Sequence, residues 1–145
     1  MIRPFNFYIE SRKVVKQKPE NNVAISLLKK AKERFGYIET QEIKDGNSFI
    51  IFENLYESLR EATQSLLAIE GYKPYSHEAI IAFLKERVEG ITEDQIELFN
   101  DARIKRHDSL YYGKEISKEK TMDLLNLTKL LLPVIEKELN KRFKK

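Results

Sequence analysis

The sequence contains no cysteine and no tryptophan, and only five of its 145 residues are glycine. The absence of cysteine excludes disulfides and thiolate metal sites, and it is consistent with a reducing compartment. No apolar run approaches the roughly 18–20 residues that a bilayer-spanning helix needs. The residues that follow Met1 also lack the sustained apolar core of a signal peptide. We therefore expect a cytoplasmic protein with no membrane partner.

Motifs of the common cofactor and metal sites are missing as well. The chain carries no glycine-rich phosphate loop, no dinucleotide fingerprint and no two-histidine metal signature. Its two histidines, His77 and His107, have no acidic or histidine partners at metal-ligand spacing. We expect no metal and no cofactor. His77 follows a helix-capping serine, and we expect it to pack or to form a hydrogen bond at the helix start rather than to act in catalysis.

Helix-forming residues dominate what is present. Charged residues make up 34% of the chain, and the abundance of Glu, Lys and Leu favours helix. The strongest periodicity predicts a helix over residues 48–70, capped by Asn47 or Ser48 and stopped by Gly71. An earlier helix begins near Asn21 and ends near either Gly36 or Ile43. Its predicted core residues are Val23, Leu27, Leu28, Ala31 and Phe35. Residues 5–17 form a short helix or, over residues 13–16, an edge strand.

Clear start and stop signals define three further helices. Ser76 caps one that ends near Gly90, Thr92 begins another that ends at Gly113, and Ser117 caps the last. In the last helix, Pro133 is expected to cause a kink. The apolar stripe of that helix comprises Leu124, Leu125, Leu127, Leu131, Leu132, Ile135 and Leu139. We predict one all-α domain over residues 1–145, a five- or six-helix up-and-down bundle whose exposed apolar face favours a homodimer.

The stretch from residue 100 to residue 113, NDARIKRHDSLYYG, departs from this ordinary helical pattern. Taking about 100° per residue, Arg103, Arg106 and His107 continue the apolar stripe that Ile96 and Phe99 begin. A helix that places cations in line with its apolar face either leaves the core there or directs those cations at a ligand. The stretch is therefore the candidate functional site.

The residue types of this stretch suit metal-independent cleavage of RNA. His107 can transfer a proton near neutral pH, and the guanidinium of Arg103 or Arg106 can hold a phosphate. The predicted substrate-binding residues are Asp101, Asp108, Tyr111 and Tyr112. The two carboxylates would orient the histidine or pair with the arginines, and the tyrosine rings would stack on a nucleotide. The alternative is a surface lattice of ion pairs at a fraying helix end, which contributes little energy.

Two separated stretches resemble the HEPN domain, an all-α family. The first is YESLREA at 56–62, followed by Leu66-Leu67, Gly71 and Ser76-His77. The second is 103–113, where HEPN proteins carry an arginine-rich helix. The resemblance covers residues 48–140, and residues 1–47 would form an N-terminal helical extension. It implies a bundle, commonly a homodimer, whose polar helices face each other across a cleft. Many members are metal-independent endoribonucleases, often toxins of toxin–antitoxin pairs with a nucleotidyltransferase partner, and others only bind RNA or nucleotides.

One feature of the chain departs from the HEPN pattern. The family's catalytic signature places more residues between its arginine and histidine than the three that separate Arg103 from His107. Arg106 with Tyr111 also fits the arrangement of members that lack a correctly spaced histidine. The leading hypothesis is therefore RNA or nucleotide binding, with ribonuclease activity left open. The alternative is a non-catalytic interaction module that docks a partner protein such as a nucleotidyltransferase.

Overall fold

The computed structural model describes residues 1–143, and six helices and two short strands make up this part of the chain. The helices are α1 (Phe5–Glu10), α2 (Asn21–Glu39), α3 (Ser48–Glu70), α4 (His77–Arg87), α5 (Glu93–Tyr112) and α6 (Lys118–Phe143). The strands are β1 (Val14–Lys16) and β2 (Tyr72–Pro74). The all-α bundle predicted from the sequence is confirmed. None of the helices within residues 1–143 combines the length and the apolar character that a membrane span requires.

Helix α3 is the centre of the bundle, and α2 and α6 pack along it. Its start meets the start of α6, where the hydroxyls of Ser48 and Thr121 lie 2.6 Å apart, and its end meets the end of α6 through an ion pair between Glu70 and Arg142. Helix α2 begins beside the end of α3, because the amide of Glu20 donates to the carbonyl of Ala68. Helices α3 and α6 are therefore parallel and α2 is antiparallel to both, as in an up-and-down arrangement.

The short strands close the end of the molecule near Gly71. Strand β1 pairs with β2 in antiparallel register, with Val14 opposite Pro74 and Lys16 opposite Tyr72. Gly71 ends α3 with a φ of 85°, and a Cβ at this position would lie 2.5 Å from the carbonyl oxygen of Gln17. Only glycine fits both the left-handed backbone and this close approach. Residues 5–17 thus contain both of the predicted alternatives, a helix and then an edge strand.

The segment predicted as an N-terminal extension, residues 1–47, contributes to the same core as α3. Ala24, Leu28, Ala31 and Ile38 of α2 are buried, and the hydroxyl of Ser58 on α3 donates to the carbonyl of Ala31. The predicted stripe of α2 is partly wrong, because Val23 is exposed. Small residues at the α2–α3 contact allow the two helices to approach closely, which turns α2 so that its alanines face the core.

Candidate functional site

The second half of α5 leaves the core. Ile96, Phe99 and Ala102 are buried, whereas no residue from 103 to 112 is. The capping box of Thr92 and Gln95 begins the helix as predicted, and Gly113 ends it with a φ of 66°. Almost three helical turns therefore present their side chains outside the core. All but one of the predicted site residues lie in these turns.

Arg106 turns toward α3. Its Nε donates to Glu53 Oε1 over 2.9 Å, and its Nη2 lies 3.7 Å from Glu57 Oε1. The guanidinium carbon lies 5.3 Å from the centroid of the Tyr56 ring, at the distance of a cation–π contact. Phe99, one heptad before Arg106 on the same side of α5, packs edge-on against that ring. Arg106 thus continues the core-facing line of α5 into a polar contact with α3.

Arg103 turns toward α4. Its Nε donates to Asn100 Oδ1 over 2.9 Å, and its Nη1 lies 3.9 Å from Glu78 Oε1. The terminal nitrogens of Arg103 and Arg106 form no hydrogen bond within residues 1–143. In the same range, the buried side-chain atoms without a partner are Glu53 Oε2 and Arg142 Nε, so these terminal nitrogens are not fully buried. Each α5 arginine is thus held by a hydrogen bond from Nε, and its terminal nitrogens approach a carboxylate only at 3.7–3.9 Å.

His107, Tyr111 and Tyr112 form a separate exposed group, which we call the aromatic end of α5. The ring centroids of His107 and Tyr111 are 4.7 Å apart, and those of His107 and Tyr112 are 5.9 Å apart. Both tyrosines are about 70% exposed, and half of the His107 side chain is. His107 Nδ1 lies 3.6 Å from Asp108 Oδ1. The contacts of His107 lie on α5 itself, whereas those of Arg106 lie on α3.

Asp101 belongs to neither group. Its carboxylate accepts a hydrogen bond from Lys105, one turn later, over 3.3 Å. The two residues border a shallow depression that Lys120 and Asp123 of α6 also line. The structure therefore separates the predicted site residues into the two arginines beside α3 and α4, the aromatic end with Asp108, and Asp101 near α6.

A tyrosine–histidine pair lies beside the two arginines, and it was not among the predicted site residues. Tyr56 of α3 is fully buried, and its hydroxyl lies 2.7 Å from Nδ1 of His77, the first residue of α4. Their rings also stack, with centroids 5.7 Å apart and planes 20° apart. A hydrogen bond at the start of α4 is what the sequence predicted for His77. Its partner, a core tyrosine, was not predicted.

The buried position of Tyr56 assigns the protonation of His77. Burial raises the pKa of Tyr56, so its hydroxyl keeps its proton at neutral pH. This hydroxyl has Nδ1 as its partner, and a buried O–H without an acceptor would cost about 1–3 kcal/mol. The tyrosine therefore donates to Nδ1, and the hydrogen of the neutral imidazole is on Nε2. Nε2 forms no hydrogen bond within residues 1–143 and is not fully buried.

Charged residues surround this pair. Arg60 donates to both carboxylate oxygens of Glu57, over 3.1 and 2.6 Å, and to Gln64 over 2.6 Å. Burial lowers the pKa of His77, and the positive charges of Arg60 and Arg106 lower it further. Burial disfavours the charged form of Glu57, but the hydrogen bonds and charge of Arg60 hold its pKa below the usual value. At neutral pH Arg60 and Glu57 therefore form an ionised salt bridge beside an uncharged His77. We call this group the polar cluster: Glu53, Tyr56, Glu57, Arg60, His77 and Arg106.

No family model, curated protein or solved structure matches this chain. The HEPN resemblance therefore stays a prediction, and the function is argued from the geometry of α5 and the polar cluster. Within residues 1–143, no group of three or more His, Asp and Glu side chains could hold a metal ion.

Proposed function

We propose that this chain is a cytosolic HEPN-type protein that binds RNA or a nucleotide along the second half of α5. The observation that carries the proposal is the combination of open guanidinium forks and exposed aromatic rings on one helix. Phosphate groups would bind the terminal nitrogens of Arg103 and Arg106. Bases would stack on the aromatic end, as on the aromatic platforms of proteins that bind single-stranded nucleic acids.

Preorganisation of the two arginines supports this assignment. Each guanidinium is held through Nε, and Arg106 also lies against the Tyr56 ring. A side chain that is already fixed loses less conformational entropy when it binds a ligand. Tyr111 is eight positions after Arg103, which is about 12 Å along a helix axis. A strand that contacts both the arginines and the aromatic end would therefore extend about 12 Å along α5.

Whether His107 cleaves RNA is a separate question from whether the protein binds RNA, and it needs its own assay. His107 is next to Asp108 and the tyrosines, and its ring is half-exposed. Cleavage would require an RNA phosphate to reach both this ring and an arginine fork. A metal-free cleavage assay with wild type and His107→Ala tests it. Cleavage that His107→Ala abolishes would make the protein a ribonuclease, and equal products from both would remove His107 as the acid or base.

The binding experiment measures fluorescence anisotropy of a labelled single-stranded RNA at several salt concentrations. We expect Arg103→Ala and Arg106→Ala to weaken binding and to reduce the salt slope by about 0.7 for each lost phosphate contact. Lys129→Ala is the matched control, because Lys129 is an exposed cation of α6. If the arginine variants and the control bind alike, the phosphate contacts are misassigned.

Stacking has its own pair of variants. Tyr111→Ala and Tyr112→Ala should each weaken binding by about 1–3 kcal/mol for every base stacked on the ring, with an unchanged salt slope. Tyr37→Ala on α2 is the control, because its ring is similarly exposed. Equal affinity of all three variants would show that the aromatic end does not contact the bases.

Exposed apolar side chains favour a second candidate function, docking of a partner protein such as a nucleotidyltransferase. Ile104 and Leu110 of α5 are 41% and 47% exposed, near the two exposed tyrosines. Apolar patches of this kind often mark protein interfaces. Sedimentation velocity tests the homodimer expected from the resemblance: a dimer that Leu110→Lys dissociates would assign this surface to a second copy of the chain.

A further inference from the structure

The Nε2–H group of His77 is a hydrogen-bond donor that the proposed function does not use. The bond from the Tyr56 hydroxyl to Nδ1 fixes the orientation of the ring and the position of its proton. Nε2 has no hydrogen-bond partner within residues 1–143, and it is not fully buried. A neutral N–H held in this way can donate to an oxyanion without first taking up a proton.

Hydrogen-bond donors for an anion lie near His77. Arg60 and Glu57 neutralise each other through their paired hydrogen bonds. Arg106 lies against the Tyr56 ring that bonds His77, and Arg103 Nη1 lies 3.9 Å from Glu78, the residue after His77. The terminal nitrogens of both arginines form no hydrogen bond within residues 1–143. His77 is also the first residue of α4, so the partial positive charge of the helix start lies beside it.

The acidic groups that face His77 do not block such an anion. Glu57 is bound to Arg60, and one oxygen of Glu53 accepts from Arg106 Nε. Glu78, which follows His77 on α4, lies 3.9 Å from Arg103 Nη1, beyond hydrogen-bond distance. Glu57 also lies 3.7 Å from Arg106 Nη2, so the carboxylates position the arginines without forming a hydrogen bond to the terminal nitrogens of either α5 fork.

We propose that His77 Nε2–H and the terminal nitrogens of Arg103 and Arg106 together bind a phosphate monoester, such as the terminal phosphate of an RNA or a nucleotide. This inference deepens the proposed function and rests on it for the kind of molecule that carries the phosphate. Tyr56 is a positioning residue, because it fixes the imidazole and does not itself contact the ligand. Charge-assisted donors from two arginines and one imidazole suit the several oxygens of a phosphate dianion.

The test uses inorganic phosphate as the probe and proton NMR of the two histidines as the readout. The chain has only His77 and His107, so each ring gives a resolvable signal and His107 is the internal reference. We expect phosphate to shift the His77 resonance saturably at neutral pH. We also expect it to raise the pKa of His77, because a bound dianion offsets the positive charge of the arginines. The His107 signal should respond less and without saturation.

Two variants are expected to change phosphate binding in opposite directions. Arg106→Gln removes a charged fork and should abolish the saturable shift of His77. Glu53→Gln keeps the shape of the side chain and an oxygen that can accept from Arg106 Nε, but it removes a negative charge that opposes the anion, and it should strengthen phosphate binding by up to about fivefold. Circular dichroism checks the fold of each variant, and Lys129→Gln is the control for net charge. Weaker binding by folded Glu53→Gln, or equal responses of both histidines in wild type, would overturn the proposal.

The outcomes separate this inference from the proposed function. Arginine-dependent RNA binding with a His77 signal that ignores phosphate would refute the His77 site and leave the proposed function intact. A saturable His77 response without RNA binding would refute the proposed function and leave a phosphate site for a small ligand.

Discussion

The hydrogen bond between Tyr56 and His77 makes a prediction that a double-mutant cycle can measure. Tyr56→Phe removes the hydroxyl and leaves Nδ1 without its donor, and because the His77 ring is only partly buried, water can replace part of that bond. We expect a loss of about 1 kcal/mol of unfolding free energy, the net value of an ordinary hydrogen bond. His77→Leu leaves the fully buried hydroxyl of Tyr56 without an acceptor, which should cost about 1–3 kcal/mol.

The double variant should be less destabilised than the sum of the two single variants, since it leaves no buried hydroxyl unpaired. We expect a coupling free energy of about 0.5–2 kcal/mol. The assay is urea unfolding followed by circular dichroism at neutral pH, with equal m-values as the condition for comparing the four proteins. Additivity within about 0.5 kcal/mol would refute the reasoning, because it would mean that the two side chains do not interact in the folded protein. The assignment of the Nε2–H donor would then lose its basis.

Three further predictions concern stability. Burial and nearby arginines lower the folded-state pKa of His77, so its contribution to the unfolding free energy should be fully present above about pH 6.5. The unfolding free energy should fall below that pH by at most about 1.4 kcal/mol per pH unit. In urea unfolding, His77→Gln should flatten this slope. Arg34→Met removes the 2.9 Å partner of the buried Glu61 carboxylate and should lower the unfolding free energy by about 3 kcal/mol in the same assay. The double variant Arg34→Met with Glu61→Leu should recover most of this loss, because it leaves no unpaired buried charge. Gly71→Ala should lower the melting temperature more than Gly90→Ala. Both glycines have positive φ, but only at Gly71 would a Cβ lie against a backbone carbonyl. Equal shifts of the melting temperature would contradict the close approach.

The helix boundaries were predicted well because their signals are local. The hydroxyl of Ser76 accepts from the backbone at the start of α4, Thr92 forms its capping box, and Ser117 accepts from the first turn of α6. Gly71 and Gly113 end their helices in the left-handed conformation, as expected. Each of these interactions spans only a few residues, so the sequence nearby contains everything that decides it.

Features that depend on distant residues were predicted poorly. The pairing of β1 with β2 joins segments that are almost sixty residues apart, and the sequence suggested only one of the two strands. In α2, periodicity alone predicted Val23 in the core, but contact with α3 selects the neighbouring face, which carries Ala24 and Ala31. Which side of an amphipathic helix is buried depends on the shape of its neighbour as well as on the helix's own apolar residues.

The candidate site lies between these two cases. Position in line with the apolar stripe did single out Arg106 of α5, and the same reasoning places the hydroxyl of Tyr56 within the core stripe of α3. A polar atom on the buried side of a helix needs a hydrogen-bond partner. The sequence therefore predicts a contact for each of these residues but does not identify the partner. The partner can be named only when the helices are packed, because His77 and Arg106 come from two other elements. The same packing that satisfies Tyr56 leaves an imidazole N–H and two guanidinium forks facing outward. The hydrogen bond between Tyr56 and His77 therefore determines which imidazole nitrogen can meet a ligand.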